Sequence, residues 1–146
     1  MNIYHSYYRF WRNFPDKSRF TWVAITKTIP SDYIGCIYKR LAPIGKEFER
    51  TIEPIFNEKK FFKVYADMLR TLDRDEILNE IKSFSRKGKD IVLLNWEDMT
   101  KNSEGRFAYA WMFRISLSDA DKNNLEYILI KEKMMSSLTG TNFLEV

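Results

Sequence analysis

The sequence predicts a single α/β domain, residues 1–146, in which a short, mainly parallel sheet is flanked by helices. Residues 91–94 (IVLL) form an unbroken apolar run, which is typical of a strand buried on both faces in a parallel sheet. Helical periodicities separate this run from earlier β-rich segments, so a right-handed crossover onto a parallel neighbour is expected. A length of 146 residues fits one domain.

Three segments have the composition of strands. Residues 2–8 place tyrosines on both faces of an alternating pattern. Residues 20–28 (FTWVAITKT) are β-branched and aromatic, and Pro30 ends them. Residues 89–95 (KDIVLLN) contain the apolar run and predict the central strand.

Helical spacing dominates the middle of the chain. A helix is expected over 46–56, with Pro54 as a break near its end. Asn57 can cap a second helix, whose apolar stripe includes Phe61 and Phe62. Asp73 and Glu76 outline a capping box for a third, and Gly88 is its predicted terminator.

The last third of the chain predicts further helices. A polar loop, 96–105, leads into an aromatic helix through Trp111 and Phe113. Ser118 with Asp121 predicts another capped start. The final helix is expected over 128–138 and is stopped by Gly140, although a strand over 127–130 is the alternative.

Composition excludes several classes of protein. With one cysteine, Cys36, and one histidine, His5, the chain can form no internal disulfide, and we predict neither a metal nor a cofactor. Cys36 is expected to be a small buried apolar residue. No apolar run is long enough for a membrane span and no signal peptide is evident, so we expect a cytoplasmic protein. A net charge of +4 fits an anionic partner without requiring one.

The carboxyl ends of the predicted strands offer a candidate ligand site, because ligands of open parallel sheets bind there. Trp96 would stack on a ring and Glu97 would accept hydrogen bonds, while Lys27 and Arg106 would meet a phosphate at a helix N-terminus. Thr26, Asn95 and Asp98 lie at the same edge. The alternative is a solvated loop with a helix cap and a surface salt bridge.

Short sequence motifs favour no established chemistry. The chain contains none of the glycine-rich phosphate-binding patterns, the serine hydrolase elbow or the HExxH zinc pattern. The aromatic N-terminal segment, with Arg9 and Arg12 between its rings, would suit stacking on single-stranded nucleic acid. The alternative for this segment is core with a solvated edge.

Six short elements, in order, resemble the bacterial and phage family called domain of unknown function 488. They are residues 5–8 (HSYY), 25–27 (ITK), 41–43 (LAP), the spacing Phe61-x3-Tyr65-x3-Leu69, 93–97 (LLNWE) and 104–106 (EGR). The resemblance implies an α/β fold and a site at the strand ends, to which it adds Ser6 and Tyr7. In that family cysteines stand where this chain has Asn95 and Glu104, and a histidine where it has Gly105, so thiol, metal or imidazole chemistry is not expected.

These observations predict a non-catalytic accessory protein, of phage or mobile-element origin, that binds a nucleotide, nucleic acid or protein. The alternative is an enzyme of the N-glycosidase or transferase type on such a substrate, with Glu97 as general base or nucleophile and Arg106 stabilising negative charge. A third hypothesis is homo-oligomerisation through the C-terminal helix. We further expect Arg106 either to pair with Glu97 or to hold an anion. The predicted ligand-binding residues are Ser6, Tyr7, Thr26, Lys27, Asn95, Trp96, Glu97 and Arg106.

Overall fold

The computed structural model describes residues 1–52, 54–97 and 101–139, with side chains described through residue 137. Four strands in this part of the chain form one sheet in the order β1-β4-β2-β3, and every pair in it is parallel. The strands are β1 (Ile3–Tyr7), β2 (Thr21–Ala24), β3 (Cys36–Ile37) and β4 (Ile91–Asn95). The predicted α/β class with a short parallel sheet is confirmed.

Helices cover both faces of this sheet. Seven α-helices are described: α1 (Tyr8–Asn13), α2 (Lys46–Glu49), α3 (Glu58–Arg70), α4 (Arg74–Ser83), α5 (Glu104–Phe113), α6 (Leu117–Asp121) and α7 (Leu125–Thr139). Short 3₁₀ turns occur at Lys17–Arg19 and Lys39–Leu41. No helix in the described residues is both long and apolar enough to cross a bilayer.

Strand β4 is the centre of the sheet. It pairs with β1 on one side and β2 on the other, so that Leu93 lies opposite both His5 and Val23. All five residues of β4 are buried, as the apolar run predicts. Leu93 faces a core shared with α3, α4 and α5, whereas Leu94 faces an aromatic core that includes residues of α1 and α7.

Two predicted helix caps are confirmed in detail. The Asn57 side chain accepts the Lys60 amide at 3.0 Å, and the Asp73 side chain accepts the Glu76 amide at 3.2 Å. Each bond satisfies a backbone donor that the first helical turn leaves free.

Several predicted boundaries are wrong. Helix α6 is capped by Ser116 and not by Ser118, and α4 ends at Ser83, before Gly88. Helix α7 begins at Leu125, so the alternative strand over 127–130 does not form. The second strand and α2 are both shorter than predicted because turns replace their C-terminal parts. Gly140 lies outside the described residues.

Three features were missed or misjudged from the sequence. Helix α1 begins at Tyr8, directly after β1, and the aromatic pattern gave no sign of that switch. Strand β3 has only two residues, which is too short to show a period. Cys36 lies in that strand at the sheet edge, so it is half-buried and not fully buried as expected.

Candidate functional site

Parallel pairing brings the carboxyl ends of β1, β2 and β4 to one edge of the sheet. There the Tyr8 hydroxyl and Thr26 Oγ1 are 2.5 Å apart, and Thr26 Oγ1 donates in turn to the Thr28 carbonyl. The Trp96 indole N–H donates to the same carbonyl at 3.0 Å, and the indole ring meets Tyr8 edge-on at 4.8 Å. Trp96 is therefore held in one orientation although 46% of its surface is exposed.

The Asn95 side chain connects the end of β4 to the start of α5. Its amide nitrogen donates to the Glu97 carbonyl at 2.6 Å, and its amide oxygen accepts the Gly105 N–H at 2.9 Å. Asn95 is 1% exposed, and its bond to Gly105 is buried, whereas its bond to Glu97 is part-buried. They fix the Glu97 backbone and the first turn of α5 relative to one another.

Asn95 approaches the backbone of Gly105 so closely that no side chain fits at position 105. A Cβ on Gly105 would overlap Asn95 Oδ1 and would lie 3.5 Å from His5 Cβ. Helical backbone does not require glycine, so it is the close approach of Asn95 that excludes a larger residue here.

The fixed backbone places the carboxyl groups of Glu97 and Glu104 side by side. Glu104 opens α5 and is 7% exposed, while Glu97 is half-buried. Burial first, and then the negative charge of Glu97, raises the pKa of Glu104 from its usual 4.5 to about 8. A hydrogen bond that protonated Glu104 donates to Glu97 acts in the same direction.

Buried oxygens on both carboxyls favour a protonated state of the pair. Among the described residues, Oε2 of Glu97 and Oε2 of Glu104 are both buried and have no hydrogen-bond donor. Buried oxygens without a partner cost free energy, and two adjacent carboxylates would also repel one another. We infer that at neutral pH the two glutamates form a dyad that holds one proton between them.

Arg106 makes a different pair from the one expected. Its Nε and one terminal nitrogen donate to the Asp121 carboxylate at 2.7 and 3.0 Å, and the other terminal nitrogen donates to Asn102 Oδ1 at 2.7 Å. Of the two roles expected for Arg106, pairing with Glu97 is therefore wrong, and holding an anion stays a prediction. Its forked contact with Asp121 joins α5 to the end of α6.

The N-terminus of α5 is also occupied from within the chain. Ser103 Oγ accepts the Arg106 amide at 3.2 Å, and Asn95 accepts the Gly105 amide. These are the donors that a bound phosphate would have used. The N–H groups predicted to bind a phosphate, on the Arg106 side chain and at this helix end, therefore donate to other groups of the protein.

Two cavities open beside the dyad. The larger, of about 660 Å³, is lined by Phe56, Glu58, Phe61, Phe62, Glu97, Lys101, Asn102, Glu104, Arg106 and Asp121. The smaller, of about 150 Å³, is lined by Thr26, Lys27, Thr28, Pro43, Phe48, Glu49, Ile52, Phe61, Trp96 and Glu104. Phe61 and Glu104 line both cavities, whereas Glu97 lines the larger, so Glu104 lies at the wall that the two cavities share.

The predicted site residues divide between these cavities and their supports. The smaller cavity is lined by Thr26, Lys27 and Trp96, and the larger cavity is lined by Glu97 and Arg106. Asn95 supports the site through its hydrogen bond to the Glu97 carbonyl.

Two predicted residues lie elsewhere. Ser6 is buried with no partner for its hydroxyl among the described residues, and the Tyr7 hydroxyl donates to Glu126 of α7 at 2.8 Å. Neither residue lines either cavity. Asp98 lies outside the described residues.

The sequence missed Glu104 as the partner of Glu97. The signal was present, because Ser103 is a favourable N-cap directly before an acidic residue in the first turn. The sequence otherwise distinguishes Glu104 only as the residue that stands where the resembled family has a cysteine. The contribution of Phe61 and Phe62 was missed because their helical spacing identifies only a core stripe.

Other candidate groups belong to the core. His5 is buried against Tyr109, its Nε2 lies 2.7 Å from the Ala120 carbonyl, and burial lowers its pKa. Tyr8 and Trp11 are 1% and 3% exposed, so these two rings belong to the core, whereas the other rings of the N-terminal segment are half-buried and its stacking role stays a prediction. Among the described residues, no group of three or more histidine, cysteine or acidic side chains is placed to hold a metal ion.

Comparison of the chain with protein-family models, with curated proteins and with solved structures gives no match in any of the three. The resemblance to the domain of unknown function 488 thus stays a prediction. The site must be interpreted from its own geometry.

The dyad makes stability depend on pH. A carboxyl whose pKa is raised in the folded state stabilises the fold fully below the unfolded pKa, and this contribution is lost as pH rises through about 8. We expect Glu104→Gln, which keeps a neutral hydrogen-bonding group at every pH, to match the wild type near pH 5. At pH 9 it should be more stable by roughly a few kcal/mol, measured by urea unfolding.

The matched control for this substitution is Glu47→Gln, at an exposed position. The free energy of unfolding of Glu47→Gln should differ little from that of the wild type, and by the same amount at pH 5 and pH 9. An identical pH dependence in Glu104→Gln and the wild type would contradict a shared proton in the dyad.

The Arg106–Asp121 pair predicts a modest structural role for Arg106. Its two side chains are 23% and 34% exposed, so Arg106→Ala should lower the free energy of unfolding by about 1–2 kcal/mol. Arg70→Ala removes a far more exposed pair with Asp67 and should cost less than about 0.5 kcal/mol. Both variants are measured by thermal and urea unfolding. Equal losses of unfolding free energy would show that the Arg106–Asp121 pair stabilises the fold no more than an exposed surface pair does.

Proposed function

We propose that the cleft binds a nucleoside-type ligand and that the Glu97–Glu104 dyad catalyses cleavage of its N-glycosidic bond. The observation that carries this proposal is the buried carboxyl of Glu104 beside the Glu97 carboxyl at the wall of an open cavity, where burial raises the pKa of Glu104 to about 8. Such a pair is costly to the fold, and perturbed carboxyl groups of this kind concentrate at functional sites.

The dyad supplies both an acid and a base. Glu104 can donate its proton to the leaving ring nitrogen as the C–N bond breaks and its electron pair moves to that nitrogen. Glu97 can take a proton from the water that adds to the sugar carbon. Because the two carboxyls are hydrogen-bonded, the proton gained by Glu97 can return to Glu104, which restores the starting state.

The walls of the cleft suit a ring joined to a hydroxylated group. Phe56 and Trp96 are about half exposed at the rims of the two cavities and offer aromatic surface for stacking. Glu58 and Asn102 present acceptors and donors for hydroxyl groups in the larger cavity. Arg106 acts here as a positioning residue, since its nitrogens are engaged with Asp121 and Asn102.

A non-catalytic binding protein would use the same cleft and differ only in that no bond is broken. Binding of nucleic acid or a protein partner, a phage accessory role and a cytoplasmic location stay predictions of the sequence. Self-association through α7 also stays a prediction, supported by exposed Ile130 and Met134 on that helix.

The proposal is tested by incubating the protein with the common nucleosides and following release of free base by chromatography. We expect release by the wild type and at least about a hundredfold lower kcat for Glu97→Gln, because the general base is lost. Glu47→Gln is the control and should keep wild-type activity.

Unfolding measurements on Glu97→Gln must show that the variant is folded under the assay conditions. Binding of nucleosides by the wild type without release of base would contradict catalysis and favour the non-catalytic binding protein. Full activity in folded Glu97→Gln would overturn the role of the dyad.

A further inference from the structure

We propose that the site is divided into two compartments that meet at Glu104, with the heterocyclic base in the smaller cavity and the sugar in the larger. We further infer that the preferred substrate is an uncharged nucleoside and not a nucleotide. This inference rests on the proposed function, because it assumes that Glu104 protonates the leaving base.

The position of Glu104 at the junction fixes where the bond must lie. Glu104 and Phe61 are the residues that line both cavities. A general acid must come within hydrogen-bond distance of the atom it protonates. The scissile bond therefore lies over the junction, and the two halves of the substrate extend into different cavities.

The smaller cavity has the features of a base-binding compartment. Trp96 forms one wall, and its ring is immobilised by the Thr28 carbonyl and by Tyr8. The loop that carries Lys27 is also tied down, since Lys39 Nζ donates to the Thr26 and Lys27 carbonyls at 3.0 and 2.7 Å. A rigid aromatic wall, with polar groups beside it that can bond to ring nitrogens, suits a planar heterocycle.

The larger cavity has the features of a sugar-binding compartment. Glu97 and Asp121 are carboxylates at its wall, and Asn102 adds an amide whose nitrogen donates to Glu58 Oε1 at 2.9 Å. Carboxylates and amides hold hydroxyl groups by accepting their hydrogen bonds.

The charge of the larger cavity disfavours a phosphate on the sugar. With Glu104 protonated, the charged side chains that line this cavity among the described residues are three carboxylates, on Glu58, Glu97 and Asp121, and the cations Lys101 and Arg106. The Arg106 guanidinium is already neutralised by the forked contact with Asp121. A phosphate in this cavity would therefore meet an excess of negative charge.

The experiment measures binding of separate halves of a substrate by calorimetry, with adenine, methyl β-D-ribofuranoside, adenosine and adenosine 5′-monophosphate as probes. Trp96→Ala should weaken adenine binding at least about fivefold and leave riboside binding unchanged, because stacking is lost only in the smaller cavity. Glu58→Gln should weaken riboside binding and leave adenine binding unchanged.

The preference for an uncharged ligand is measured by comparing the affinities of adenosine and adenosine 5′-monophosphate. The wild type should bind adenosine at least about tenfold more tightly than the monophosphate at low salt, and Glu58→Gln should narrow that gap. Equal affinities, or a preference for the monophosphate, would overturn the inference about charge. If each substitution weakened both halves equally, or if neither half bound, the two compartments would be overturned.

These outcomes are separable from failure of the proposed function, because fragment binding requires no turnover. If each substitution weakened binding of only its own half but no base were released, catalysis would be overturned and the two-compartment model would stand. If base were released but the substitutions did not separate binding of adenine from binding of the riboside, only the two-compartment model would be overturned.

Discussion

The Asn95 side chain is the contact on which the site depends. Asn95 ends a strand that is buried on both faces, and its amide holds the Glu97 carbonyl and the Gly105 N–H at once. Because Asn95 is buried, the strand end and the helix start cannot separate without leaving its amide group unpaired. Glu97 and Glu104 are attached directly to the anchored atoms, so their carboxyls are forced together. The absence of a side chain at Gly105 is part of the same arrangement.

Two carboxyls held together in a buried place have few ways to reach a low free energy. Full ionisation is opposed by burial and by mutual repulsion, so the pair keeps a proton that isolated glutamates would lose. A natural fold could avoid this cost by placing a neutral side chain at either position. That the chain instead retains both carboxyls at a cavity wall is the physical basis for a catalytic interpretation.

The sequence predicted the features that depend on local pattern. The buried run in β4 and the caps at Asn57 and Asp73 follow from composition and hydrogen-bonding habits over a few residues. The location of the site follows from a general rule for parallel sheets, and the structure brings Thr26, Lys27, Trp96, Glu97 and Arg106 to that edge. The pairing of side chains could not be predicted in the same way. Arg106 has acidic residues on both sides in sequence, and only the packing of α6 against α5 selects Asp121 over Glu97.

The central claim is that Glu97 and Glu104 share one proton at neutral pH. Carbon-13 NMR of the glutamate side-chain carboxyls, followed from pH 4 to 10, measures this directly. The dyad predicts one glutamate that titrates near pH 8 in the wild type and a resonance that disappears in Glu104→Gln. If every glutamate carboxyl titrated near the ordinary value of 4.5, the buried proton would not exist and the account of the site would be contradicted.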